Sequence, residues 1–443
     1  MKGSAHPRDP RAGEASGQAR EQRASAPLTL RLAPLFLFSV FVLAASGCAS
    51  SSKQRDIYHF QPPFPVEDPQ FRRSLDNIGG TIVGGNSAVL LENGDGVFPA
   101  MLEDIRKAKV SINLEAYIFK PDEVGRRFAD ALIGAARRGV QVRLLVDAVG
   151  SKLGDLRKEL EAAGVMCRDF RPAHSYSVLG KRTHRKILVV DGRIGYTGGF
   201  CFEKRWLGNA RDKTEWHDSS VRATGPVISQ LQAVFTEDWT FTTGEILAGD
   251  PFYPKTTPTG SMETQAMKSS KGDPTSLPKM LYFMAIQAAR KSIHIQNSYF
   301  LPDAQIRQAL ISAAQRGVEV KAIVPSGHID IPPVRMASRH YFGPLLEGGV
   351  RIYEYQPTMI HSKTLIVDGI FSTIGSINLD ALSMSKNAEV SLSFYDRPFA
   401  AQMEAMFQRD LKASREVTYE AWKHRGFAAR FFEFFSRMFE PLY

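Results

Sequence analysis

The sequence predicts an α/β protein built from two copies of one β-α-β-α-β unit. Three observations carry that expectation. "AKVSINLEAYIFKPDEVGRRFADALIGAARRGVQVRLLVD" (Ala108–Asp147) matches "ARKSIHIQNSYFLPDAQIRQALISAAQRGVEVKAIVP" (Ala289–Pro325). "THRKILVVDG" (Thr183–Gly192) returns as "IHSKTLIVDG" (Ile360–Gly369). The offset also holds: His184 to His361 and Gly198 to Gly375 are both 177 residues, and Ala136 to Ala314 is 178. Only two copies of a long unit argue for duplication rather than a solenoid.

Each element follows from local chemistry. A short alternating strand ends in an aromatic residue and Pro-Asp, and the Asp (Asp122, Asp303) caps a helix. The helices carry Phe128, Ala131, Leu132 and Ala135, or Ile306, Leu310, Ile311 and Ala314, at helical spacing. Both stop at Arg-Gly, where Gly139 and Gly317 supply a left-handed turn. A buried strand follows, "VQVRLLVD" or "VEVKAIVP". "AAGVMCRDF" and "EGGVRIYEY" then repeat a helix end, a Gly and a strand. Lys255–Pro278 contains the junction, with "METQAM" a candidate first strand of the second half. The expected divisions are a leader (1–47), a polar tether (48–79), two lobes (80–254 and 259–416) and a closing amphipathic helix (417–443). In that closing segment Phe427, Phe431, Phe434, Phe435 and Met438 share one face. Docking on the core and contact with a membrane are equally weighted readings of it.

The 443 residues suffice for two or three domains with ample core. The net charge is +10, of which +3 belongs to residues 1–47. The remainder suits an anionic partner, a lipid surface or nucleic acid, or serves plain solubility. Three cysteines, Cys48, Cys167 and Cys201, make no disulfide framework. Arg20, Arg23 and Arg31 precede an apolar run from Leu32 to Ala45. That run is short for a membrane span, which needs about 20 residues, and suits a signal-peptide core. Its ending, "AASGC", resembles the lipobox of bacterial lipoproteins, with Cys48 the lipidated residue. An uncleaved anchor and an ordinary signal peptide are the competing readings. All three export the chain, and the lipoprotein reading anchors it in the bacterial cell envelope with its lobes outside the cytoplasm.

The repeated motif carries the chemistry. Residues two apart on a strand share a face, so His184 pairs with Lys186 and His361 with Lys363. Asp191 and Asp368 stand an odd number of residues beyond, before a Gly turn, and read as structural or bridging charges. Two small-residue turns follow, "GGFCF" (Gly198–Phe202) and "GSINLD" (Gly375–Asp380). There Gly199 permits close approach of a ligand, while Ser376 and Asn378 offer neutral donors. Imidazole, ammonium and neutral donors together suit a phosphate. A Lys beside each His repels a cation, so neither a metal nor a cofactor is expected. One neutral His can attack phosphorus while the other, protonated, serves the leaving alkoxide. Glu389 is a candidate to orient a ring and Asp218 is its first-half counterpart. A buried-strand salt bridge competes for both and is the favoured reading for Asp218.

These motifs resemble the phospholipase D superfamily. The resemblance covers about residues 85–443, and "NSYFLPD", "GPLLEGGVRIYEYQ", "IHSKTLIVDG", "GSINLD" and "TYEAWKHRG" are similar to bacterial cardiolipin synthases. It implies two pseudo-twofold-related α/β lobes with the site in the cleft between them. It implies phosphatidyl transfer through a histidine intermediate without a metal, the first-half His usually being the nucleophile. Carried over by motif, the site is His184, Lys186, Asp191, His361, Lys363, Asp368, Ser376 and Asn378. Two departures stand out: Cys201 replaces an amide donor, and Leu382 replaces an Arg. The implied partners are phospholipids, phosphatidylglycerol or phosphatidylethanolamine, and a membrane. A hydrolytic phospholipase D uses the same residues. A nuclease is disfavoured because no dense Arg/aromatic run is present, and a catalytically dead binding protein because both His-Lys pairs are intact.

Overall fold

The computed structural model describes residues 58–171, 182–269 and 276–439. The expected leader and Cys48 lie outside the described residues. The described residues form one compact unit.

The first half contributes β1 (Val83–Glu92), β2 (Ser111–Ala116), β3 (Gln141–Asp147), β4 (Met166–Phe170), β5 (Ile187–Val190), β6 (Ile194–Gly198) and β7 (Ser219–Thr224). The second contributes β8 (Met262–Ser269), β9 (Ser292–Asn297), β10 (Glu319–Pro325), β11 (Arg351–Tyr355), β12 (Lys363–Val367), β13 (Phe371–Gly375) and β14 (Glu389–Tyr395). One more strand, β15 (Ser414–Val417), extends the second half's outer edge. All join one 15-stranded sheet. From β1 outward the order is β7, β6, β5, β2, β3, β4, and from β8 outward it is β14, β13, β12, β9, β10, β11. The two orders correspond strand for strand, as a pseudo-twofold axis between β1 and β8 requires. Those two strands pair antiparallel, with Val83 opposite Thr264, so "METQAM" does open the second half.

The expected β-α-β-α-β unit is the parallel part of each half, β2-β3-β4 and β9-β10-β11. Its helices cap as their sequences require. Asp122 accepts from the backbone N–H of Val124 and Gly125, and Asp303 from those of Gln305 and Ile306. Gly139 and Gly317 both sit at φ 89, a conformation that glycine adopts without strain. The buried helix faces are rotated slightly from expectation. Ala129 and Ala309 are buried, whereas Ala131, Ile311 and Ala314 are only partly so. The expected tether is folded over its later part: the helix Pro69–Ile78 buries Phe71 and Leu75 in the second half's core.

Among the described residues four apolar clusters occur: one lies mainly in each half, a third joins both, and a small fourth gathers Leu301, Val334 and Ala337. In the shared cluster Leu145, Ile187 and Trp239 of the first half meet Ile323, Ile366 and Phe407 of the second. Burying such side chains contributes about 1.5–3 kcal/mol each, so the seam is a core and not a hinge.

Candidate active site

Both histidines precede their strands. β5 begins at Ile187 and β12 at Lys363, so His184, Lys186 and His361 lie just ahead of the strands, in extended approach segments. Each approach segment pairs with the opposite half. His184 N–H donates to Ala388 O at 2.9 Å, and His361 N–H donates to His217 O at 2.6 Å. The residues that follow those acceptors are Glu389 and Asp218. The backbone pairing therefore sets each histidine beside an acid from the other half.

His184 Nδ1 lies 2.9 Å from Glu389 Oε2, and His361 Nδ1 lies 2.8 Å from Asp218 Oδ2. An ionised carboxylate can only accept, so each Nδ1 carries the hydrogen and each Nε2 keeps its lone pair. Burial pushes both carboxyls up, but the adjacent imidazoles and lysines outweigh it and hold both below their ordinary values. Glu389 also accepts from Ser376 Oγ at 2.5 Å and Ser383 Oγ at 2.8 Å. Asp218 instead accepts from the Trp206 indole N–H at 2.8 Å and from the Ser219 N–H at 2.7 Å. The favoured reading of Asp218 as a strand salt bridge is thus replaced by a ring-orienting contact across the seam.

The two rings sit in different surroundings. Tyr117 meets His184 edge-on at 4.8 Å, and the Lys186 ammonium stands 5.1 Å from the same phenol ring. His361 is boxed by Trp206 at 5.1 Å and Trp216 at 5.4 Å. Burial lowers both imidazoles, and with Lys363 nearby it brings His361 down to about 3. Both rings are therefore neutral at pH 7. Each lysine turns back so that its ammonium donates to the carbonyl of its own motif histidine, His184 or His361. Burial lowers Lys186 and takes Lys363 down to about 7.

Both histidines line one cavity of about 510 Å³, which Tyr117, Trp206, Tyr299 and Asn378 help to wall. That volume is typical of a small-molecule site. Asn378 Oδ1 accepts from Ser298 Oγ at 2.9 Å, which leaves the amide hydrogens for the cavity. The two departures face it too: Cys201, whose thiol burial pushes up, and Leu382. Lys386 stands four residues beyond Leu382, past the helix Ala381–Ser385, and lines the same cavity. A cation is thus restored one helical turn from where an Arg is missing.

Two further sequence expectations change, those for Ser376 and Gly199. Asp191 and Asp368, which strand parity reads as structural charges and the motif alone carries into the site, do not line the cavity. Each adopts a left-handed turn, φ 54 and φ 52, at the far end of its strand. There Asp191 accepts from the N–H groups of Lys109, Val110 and Ser111, and Asp368 from those of Arg290, Lys291 and Ser292. They clamp β5 to β2 and β12 to β9 from the side away from the chemistry. Ser376 spends its hydrogen on Glu389 and is a positioning group, not a phosphate ligand. Gly199 accommodates a carboxylate and not a ligand: a Cβ there would lie 2.2 Å from Asp218 Oδ1.

Sequence reasoning missed Trp206, Trp216 and Arg185. The Arg185 guanidinium, fully buried between the motif His and Lys, pairs with Asp238 at 2.9 Å. It also donates to Ser269 O at 2.9 Å and so ties the first motif to the second half. Its only sequence signal is the contrast between "HRK" and "HSK".

Comparison with known proteins bears on this geometry. The family described as "Cardiolipin synthase, PLD-like domain" matches residues 101–239 and 282–411. Cardiolipin synthase of Geobacillus kaustophilus is 35% identical over 81% of this chain and 72% of its own length. Cardiolipin synthase of Clostridium perfringens is 30% identical over 94% of this chain and 93% of its own. Among solved structures, phosphatidylserine synthase of Haemophilus influenzae superposes with a TM-score of 0.64 at 15% identity, covering 84% of this chain and 100% of that one. That likeness concerns the fold.

Proposed function

Since the chain belongs to the phospholipase D-like cardiolipin synthase family, we propose that it transfers a phosphatidyl group to the hydroxyl of phosphatidylglycerol or another alcohol. The observation that carries this reading is the pair of seam-crossing dyads, His184–Glu389 and His361–Asp218, on a single cavity.

In the proposed reaction His184 Nε2 attacks the phosphorus of the donor lipid. With the phosphodiester bound, His361 Nε2 takes up a proton from solvent; a P–N bond then forms as the P–O bond to the headgroup alcohol breaks, and His361 gives that proton to the departing oxygen. The acceptor hydroxyl then returns a proton to His361 while its oxygen attacks phosphorus, breaking the P–N bond and restoring His184. The Asn378 amide faces the non-bridging oxygens, and the Lys186 and Lys363 ammoniums, hydrogen-bonded to the carbonyls of their own histidines, offset the charge on them. The resting charges fit this cycle. Both imidazoles rest neutral and burial lowers Lys363 to about 7, so an added phosphodiester anion favours proton uptake at the site. Holding the acceptor near phosphorus favours it over water.

Attachment to the cell envelope through Cys48 is part of the same proposal, supported by the lipobox-like "AASGC". Each buried CH₂ of an acyl chain there adds roughly 0.8 kcal/mol of membrane affinity. No helix among the described residues is long and apolar enough to cross a membrane. Incorporation of labelled fatty acid, abolished by Cys48→Ser, tests the anchor.

The reaction is tested by incubating purified protein with phosphatidylglycerol, and separately with phosphatidylethanolamine plus alcohols. Cardiolipin and free glycerol from the first supports transfer. Phosphatidic acid alone identifies a hydrolase with the same residues.

A further inference from the structure

The closing helix, Phe427–Arg437, is mounted inside out. Its buried residues are Glu433 and Ser436, whereas Phe427, Phe431, Phe432, Phe434 and Met438 are 53–83% exposed. A helix resting on a water-soluble core shows the reverse arrangement. The inversion is held by specific contacts. Glu433 pairs with Arg425 at 2.6 Å and with Arg339 at 3.4 Å, and Ser436 Oγ reaches Met336 Sδ at 3.8 Å. Arg339 and Met336 belong to the helix Pro332–His340, on which the closing helix packs.

That second helix leads to the chemistry. Val334 within it, and Ile331 just before it, line the catalytic cavity, and Ile331 is itself exposed. Charge adds direction. Around the helix the exposed Lys423, Arg430 and Arg437 stand against the exposed Glu420, with Glu440 following in sequence, while Arg425 pairs with the buried Glu433. A surface with apolar rings at its centre and cations at its fringe suits an anionic lipid interface. A second copy of this chain fits poorly, because an isologous contact would set the same cations against each other.

We propose that the Phe427–Met438 face inserts into a phospholipid bilayer containing anionic lipid, and that the Pro332–His340 helix thereby holds the cavity mouth at the lipid surface. This goes beyond phosphatidyl transfer, although it supplies the route by which a lipid substrate reaches the site.

The test uses the full chain carrying Phe431→Trp, with the unsubstituted chain as control for its native tryptophans and its leader. Vesicles of phosphatidylcholine, with or without phosphatidylglycerol, carry bromine on their acyl chains. The proposal expects fluorescence quenching in the variant beyond that of the control, stronger with phosphatidylglycerol and weakened by salt. Quenching equal to the control overturns it, as does lipid-independent burial of the new indole as protein concentration rises. A second variant, Phe431→Asp with Phe434→Asp, should lose about tenfold or more of turnover on vesicles while keeping turnover on a short-chain donor dispersed as monomers. Equal loss on both substrates also overturns the proposal. The quenching reads docking without reference to turnover, so failure of docking and failure of the transfer reaction are separable.

Discussion

Glu389, in the second half, accepts the Nδ1–H of His184, in the first half, at 2.9 Å. Asp218 does the reverse for His361 at 2.8 Å. Neither half owns a complete dyad, so the chemistry depends on the packed seam between them.

The crossing makes a specific prediction for paired substitutions. Glu389→Gln and Asp218→Asn should each lower kcat by about 10²–10⁴-fold, because an amide no longer fixes the productive tautomer. Glu389→Gln should add little in a His184→Ala background but more in His361→Ala, and Asp218→Asn should show the opposite pattern. Steady-state kinetics of the doubles checks this.

Gly199→Ala should mimic Asp218→Asn. The new Cβ would need the space of the Asp218 carboxylate, 2.2 Å away. Moving that carboxylate releases His361 and costs on the order of 1–3 kcal/mol in packing. A thermal melt together with kcat separates the two effects.

Two buried groups give pH signatures. Lys363 is lowered to about 7, so its cationic form is lost as pH rises through that value, and kcat/KM should fall on the alkaline side. Binding of a non-hydrolysable phosphodiester above pH 7 should take up about one proton. Calorimetry in buffers of differing ionisation enthalpy measures that uptake. Burial raises Asp380 to about 7 in the native state, so it favours folding at low pH. Its contribution is lost as pH rises through about 7, and Asp380→Asn should flatten that part of the stability profile.

Lys386→Ala should raise KM for phosphatidylglycerol about tenfold with little change in kcat, if its ammonium serves the acceptor's phosphate. Leu382→Arg in that background should restore affinity, since the two positions lie one helical turn apart on the cavity wall. Excess chelator should leave every one of these activities unchanged.

Much of the fold was legible because its signals are local. Asp122 and Asp303 announce their helices, and Gly139 and Gly317 end them at the same φ of 89. The shared offset of the His-Lys-Asp runs exposed the duplication. Partners across the seam were not legible. His184 and Glu389 are 205 residues apart, and their contact depends on how β1 and β8 join the halves. The repeat invites pairing each acid with its own half. Side-chain purpose was also hidden where the residue type serves two ends. Ser376 reads as a phosphate donor until Glu389 is seen to take its hydrogen, and Gly199 as a ligand cradle until Asp218 is seen to fill it. Asp191 and Asp368 were legible by strand parity as groups turned from the substrate, but their backbone clamps require the strand neighbours.

The most direct test is to trap the phosphorylated enzyme. A phosphodiester donor with a p-nitrophenyl leaving group needs no proton from an acid, so His361→Ala should still form the covalent intermediate and then stall. Mass spectrometry of peptides prepared at alkaline pH should find the phosphatidyl group on His184 in that variant, and nothing on any residue in His184→Ala. An adduct on neither histidine in any variant, or full turnover by either single alanine variant, would contradict a shared phosphorus between the two rings.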